Sequence, residues 1–153
     1  APTLHGLDHV TFLFSANKEI EPEPVAEIAS GGEISRLMLA IKALIADRRS
    51  LPTIIFDEID TGVSGEIADK MADIMQDLGQ KMQVITITPL PQIAAKGRAH
   101  YFVYKEDTAE RTLTRIRLLT TGERVNEVAR MLSGASLTDA AVANAKALLQ
   151  KEK

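Results

Sequence analysis

At 153 residues, with 45% hydrophobic and 25% charged side chains, the chain has the size and balance of one globular domain or a large piece of one. A formal net charge of −3 excludes a global electrostatic pull toward nucleic acid, so any such contact must come from a local patch or from another part of a larger molecule. The lack of cysteine excludes disulfides, thiolate metal sites and a cysteine nucleophile, a composition that suits the cytoplasm.

In chain order, residues 1–9 read as irregular, and no charged-then-apolar leader is expected there. His5 and His9 stand four apart but lack a helix to aim them, so metal binding by this pair is not expected. Val10 to Phe14 predicts a strand. Glu21-Pro22-Glu23-Pro24 predicts a loop without regular structure, because its prolines remove backbone donors. Ile34, Leu37, Met38, Ile41, Leu44 and Ile45 recur at helical spacing and predict a helix over 33–46, ended by a polar turn and Pro52. Thr53 to Phe56 is an unbroken β-forming run, which predicts a strand buried on both faces, as in a parallel sheet.

Gly65 opens a second amphipathic helix, with Ile67, Met71, Ile74, Met75 and Leu78 on one face and Gly79 as its C′ residue. Val84 to Thr88 predicts another strand; Pro89 and Pro91 break it, and 92–95 predict a short helical turn. Strand, helix and strand of these lengths make a parallel crossover unit. His100–Lys105 and Thr112–Leu119 predict a hairpin, with Arg115 and Arg117 on a solvated face and Ile116 and Leu118 on the other. Arg124 to Leu132 predicts a helix burying Val125, Val128, Ala129 and Leu132. The alanine-rich 137–151 predicts a last helix, where Ser136 and Asp139 have capping-box spacing. No apolar run approaches the ~18 residues of a membrane span.

Chemistry concentrates in two places. Thr53–Phe56 stops at Asp57, Glu58 and Asp60, at the strand end where ligands bind in open α/β sheets. Asp57 and Glu58 point to opposite sides of the strand and can divide two tasks: holding Mg²⁺ through water, and accepting a proton from an attacking water. A solvated strand end is the plain alternative, and a metal-dependent phosphoesterase using Asp57, Glu58 and Asp60 is another. The second place is Ser30-Gly31-Gly32-Glu33, whose outer residues fit a capping box. Its glycines, each costing up to ~1 kcal/mol against alanine in a helix, make sense where a ligand approaches bare backbone N–H groups, an arrangement suited to phosphate.

Ala29-Ser30-Gly31-Gly32-Glu33-Ile34-Ser35-Arg36-Leu37 looks like the signature motif of ABC-type ATPases, and Phe56-Asp57-Glu58-Ile59-Asp60-Thr61-Gly62-Val63-Ser64-Gly65 like their Walker B motif and D-loop. With Leu90-Pro91-Gln92-Ile93-Ala94-Ala95 after the next strand, the chain from about Gly6 onward resembles the SMC-like branch, and within it the RecN family of bacterial DNA repair ATPases. The resemblance implies an α/β fold: the C-terminal lobe of an ABC-type P-loop ATPase head, a mostly parallel sheet flanked by helices, with a C-terminal β-hairpin and two terminal helices. It implies ATP and Mg²⁺ as cofactors. Ser30, Gly31 and Gly32 would contact the γ-phosphate of ATP held by a second subunit, with Glu33 and Arg36 supporting that helix start. Asp57 would hold Mg²⁺, through water, and Glu58 would be the general base. Asp60, in the D-loop, would join the nucleotide-binding residues across the dimer interface.

The implied partners are a second ATPase head, an N-terminal lobe of the same protein, and DNA reached through the full-length molecule; no membrane is involved. The implied role is double-strand-break repair and recombination at the bacterial nucleoid, in the cytoplasm. Two departures stand out. No G-x-x-x-x-G-K-[ST] phosphate loop and no long heptad run occur, so the chain reads as part of a larger head and is not expected to hydrolyse ATP alone. Pro89 stands where the family carries a histidine that reaches the γ-phosphate. That leaves open a non-hydrolysing, nucleotide-sensing or protein-interaction module.

Overall fold

The computed structural model describes residues 4, 6–15, 18–27, 31–48, 51–108, 110–134 and 136–150. His5 and Ser30 lie outside them, so the histidine pair and the Ser30–Glu33 capping box do too.

β1 (Leu13–Phe14) pairs antiparallel with β2 (Glu23–Pro24), and the Val25 N–H donates to the Phe12 carbonyl at 2.9 Å. The strand expected over 10–14 is thus confined to its last residues. The segment expected to be irregular supplies its partner, since Pro24 is tolerated on an edge that asks no N–H of it. α1 (Gly31–Arg48) is followed by β3 (Thr53–Asp57), α2 (Gly65–Leu78) and β4 (Gln83–Ile87). β3 and β4 are parallel and in register from Thr53↔Gln83 to Asp57↔Ile87, with α2 as the crossover.

The core lies on one face of this pair. Ile54 and Phe56 point into it, meeting Leu39 and Ala46 of α1, Val63, and Ala68, Met71, Ala72, Met75 and Leu78 of α2. Phe56 is 0% exposed, and a phenylalanine so placed contributes about 3–5 kcal/mol relative to alanine. The buried stripe of α2 runs through Ala68 and Ala72, with Ile67 and Ile74 at its exposed margin. The opposite face of the strands is open: Ile55 is 57% and Ile87 51% exposed. Two-sided burial of β3 is therefore corrected. Side chains alternate along a strand, and among the described residues nothing covers the second face. Gly79 is also corrected. Its φ of −62° is right-handed, so it is not a left-handed C′ residue; a Cβ there would lie 3.2 Å from the Gln76 carbonyl oxygen.

α3 (Pro91–Lys96) opens with proline in its first turn and packs against α2 on one side and the C-terminal helices on the other. β5 (Tyr101–Asp107) and β6 (Thr112–Leu118) form the antiparallel hairpin. α4 (Thr121–Ser133) begins in a complete capping box, Thr120 with Glu123, and α5 (Asp139–Gln150) packs against it. Val128 and Ala129 meet Ala141 and Ala145 in a second core, where small side chains bring the two helices close. Leu132 is half-exposed rather than buried. The start of α5 is held by Thr138, whose Oγ accepts from the Ala141 N–H at 3.2 Å, two residues later than the expected Ser136. The α/β expectation stands, with the parallel pairing carried by β3 and β4 and the other two pairs antiparallel.

Arg115 and Arg117 are not simply solvated. Arg115 pairs with Glu106 at 2.7 Å, and Arg117 pairs with Glu123 at 2.7 Å, tying the hairpin to α4. Arg124 donates to the Ala95 and Gly97 carbonyls and so ties α4 to the end of α3.

Candidate active site

The parallel ladder continues one step past β3: the Glu58 N–H donates to the Ile87 carbonyl at 3.0 Å. Glu58 then takes φ +47°, the sole non-glycine positive φ among the described residues. For an L-residue this conformation costs roughly 1–2 kcal/mol. It is held from behind, because the Glu58 carbonyl accepts both the Thr61 N–H at 3.3 Å and the Thr61 hydroxyl at 2.8 Å. Gly62 follows at φ +76°, where a side chain would be strained, and the turn closes with the Val63 N–H on the Asp60 carbonyl at 3.1 Å. The chain thus reverses within a few residues of the strand end, leaving the Asp57 and Glu58 side chains exposed at its tip.

Asp60 goes the other way. It is 1% exposed, and its Oδ2 accepts a hydrogen bond from the Thr88 hydroxyl at the end of β4. The same hydroxyl oxygen accepts the Leu90 N–H at 2.9 Å. Asp60 Oδ1 is buried without a hydrogen-bond partner. An unsatisfied buried polar atom costs about 1–3 kcal/mol, and more for a charged group. Within this chain the Asp60 side chain is turned inward, whereas the resemblance implies a place among nucleotide-binding residues across a dimer interface. The geometry does not support the phosphoesterase alternative. Asp60 does not converge with Asp57 and Glu58, and among the described residues no group of three metal-ligating side chains forms.

Asp57 fits Mg²⁺ in one way. A single exposed carboxylate suits an ion that keeps most of its waters and takes its remaining ligands from phosphates. Pro89 is exposed in the loop between β4 and α3, beyond the same strand ends. Gly31 and Gly32 open α1, and a Cβ at Gly31 would meet nothing within 4 Å, so packing does not require that glycine. Glu33 follows in the first turn, partly buried. α1 packs on α2, and among the described residues no hydrogen bond or ion pair links its first turn to Asp57, Glu58 or Asp60. The structure thus brings Asp57, Glu58, Asp60 and Pro89 to one end of the sheet, with no hydrogen bond joining Gly31 or Gly32 to them among the described residues. A cleft of about 220 Å³ lined by Ala43, Ile74, Asp77, Leu78 and Lys81 lies at the opposite end and holds none of these groups. What sequence reasoning missed is Thr88, whose hydroxyl was hidden in a β-branched run. A polar side chain at the carboxyl end of the neighbouring parallel strand was the available signal.

No family model matches the chain. It is 44% identical over 148 residues to the DNA repair protein RecN of Rickettsia prowazekii, covering 97% of this chain and 27% of that protein. It is 41% identical over 145 residues to RecN of Haemophilus influenzae, covering 95% and 26%. With RecN of Bacillus subtilis it shares 42% over 149 residues, covering 97% and 26%. The chain spans about a quarter of the length of the curated relatives it matches. Among solved structures, it superposes with a TM-score of 0.56 and 18% identity on an SMC ATPase studied for ATP-driven dimerization and DNA-stimulated activation, covering 77% of this chain and 70% of that one. It superposes at 0.54 and 20% identity on an Smc head bound to the C-winged helix domain of ScpA, covering 67% and 30%. Over nearly its whole length, then, this chain is similar to a quarter-length segment of the RecN DNA repair proteins, and its α/β fold is that of part of an SMC ATPase head.

Proposed function

We propose that this chain is the C-terminal lobe of an ATPase head in a RecN-like DNA repair protein, and that it supplies the hydrolytic carboxylates and the signature helix for ATP at a head–head interface. The observation that carries this reading is Glu58: an exposed carboxylate at the end of a parallel strand, held in a left-handed conformation by bonds on both sides. Strain kept at a strand end is characteristic of functional sites. Glu58 takes the proton from the attacking water. Asp57 would hold Mg²⁺, which would supply neutralisation of phosphate charge when bound. Ser30, Gly31 and Gly32, with Glu33 behind them, receive the γ-phosphate of ATP held by a second head. The open apolar face of β3 and β4 receives the N-terminal lobe of the same protein, which grips the ATP that Asp57 and Glu58 act on. DNA engages the intact protein, in the bacterial cytoplasm at the nucleoid; among the described residues no helix is long and apolar enough to cross a membrane.

The test is Glu58→Gln in the intact protein. ATP binding is retained, and turnover falls by ~10²- to 10⁴-fold, the usual loss for a general base. Turnover at the wild-type rate would refute the assignment. A second reading, nucleotide sensing without efficient hydrolysis, is favoured by exposed Pro89, whose ring offers neither donor nor acceptor to a phosphate. On that reading Glu58→Gln changes nothing because the wild type is already inactive, and Pro89→His raises turnover.

A further inference from the structure

We infer that Asp60 is a positioning residue that locks the loop after β4 to the loop after β3, so that the Glu58 and Pro89 segments keep one relative geometry. This inference rests on the reading of Glu58 as the hydrolytic base. The last backbone rung between the strands is the Glu58 N–H on the Ile87 carbonyl. Beyond it the two loops leave the sheet and are joined through side chains. The Thr88 hydroxyl donates to Asp60 and accepts from the Leu90 N–H. It thereby bridges the β3 loop to both flanks of Pro89. Proline has no N–H, so residue 89 cannot anchor itself through its own amide; its neighbours must hold it. Asp60 is too deeply buried to touch a ligand, so any effect it has on chemistry passes through the two loops it joins. Packing alone does not call for a carboxylate there. An apolar side chain of similar volume would leave no oxygen stranded, as Asp60 Oδ1 is.

The lock acts directly on the strained residue. Glu58 sits two positions before Asp60, and the Asp60 carbonyl accepts the Val63 N–H that closes the turn. Releasing Asp60 frees that turn and allows Glu58 to leave its positive φ. A misplaced base lowers kcat without changing how tightly ATP binds, since small displacements of a reacting group cost rate rather than affinity.

The test uses Thr88→Val, which keeps the shape and removes the hydroxyl, with Asp60→Ala, the double variant and Thr88→Ser, all in the intact protein. Thr88→Val is expected to lower kcat by about 10-fold with KM within about 2-fold, and Thr88→Ser to restore it. The double variant is expected to be no slower than the slower single variant, because both cut one link. Amide hydrogen exchange reads the lock without turnover. Asp60→Ala should speed exchange at Leu90, and Thr88→Val should speed it at Val63, each on the far loop. Losses that multiply in the double variant would overturn the inference. So would exchange that rises only on the substituted loop. The exchange result decides the lock even if Glu58→Gln hydrolyses ATP at the wild-type rate, which would count against the base alone.

Discussion

Glu58 holds a backbone conformation that is unfavourable for folding, and on the proposed reading it is also the hydrolytic base. Its φ of +47° is a conformation that glycine adopts freely and glutamate does not. Glu58→Gly should therefore stabilise the protein by about 1 kcal/mol, less the entropy glycine adds to the unfolded chain, while abolishing turnover. Chemical denaturation and an ATPase assay on the same preparation check both halves. A destabilised Gly variant would mean that the glutamate side chain makes contacts that outweigh the strain. Asp60 is the contrasting case. Its place in a run of acids reads as a solvated turn, yet it is buried, because its partner Thr88 comes from another strand.

Secondary-structure elements were legible where a periodic pattern ran long enough. The continuous run at 53–56, the helical spacing after Gly65 and the β-branched run at 84–88 predict β3, α2 and β4 with small shifts at the ends, as observed. Two-residue strands such as Glu23–Pro24 carry no period to read, and the pairing that defines them is tertiary. The cap of α4 is different: the expected helix began at Arg124, and the structure adds the Thr120–Glu123 capping box and its link to Arg117 on β6. The Thr120 amide, the Thr120 hydroxyl and then Arg117 hold the Glu123 carboxyl down at about 2, against an ordinary 4.5. The folded-state value lies below the unfolded one, so this group stabilises the fold above pH 4.5, and the contribution is lost as pH falls from there toward 2. Thermal melts across that window should show Glu123→Gln losing stability less steeply with acid than the wild type. Parallel acid limbs would mean the capping network is not formed in solution.

At the scale of the whole molecule, two cores are joined through α3, and among the described residues nothing covers one face of the parallel pair. An edge and a face left uncovered are where further structure docks, which accords with a chain spanning about a quarter of the length of its RecN relatives. On the proposed reading, what covers that face belongs to other segments of a longer protein and so is not legible in these residues. The central claim is that one active site is shared between two heads, with Glu58 from one chain and the Ser30 signature from the other. The most direct measurement mixes two intact variants, Ser30→Arg and Glu58→Gln, each inactive by itself. One of the two sites in a mixed dimer then combines an intact Glu58 with an intact Ser30. The account predicts that ATP turnover reappears on mixing and scales with the fraction of mixed dimer. A mixture as inactive as either variant alone, with mixed dimers demonstrably formed, would contradict it.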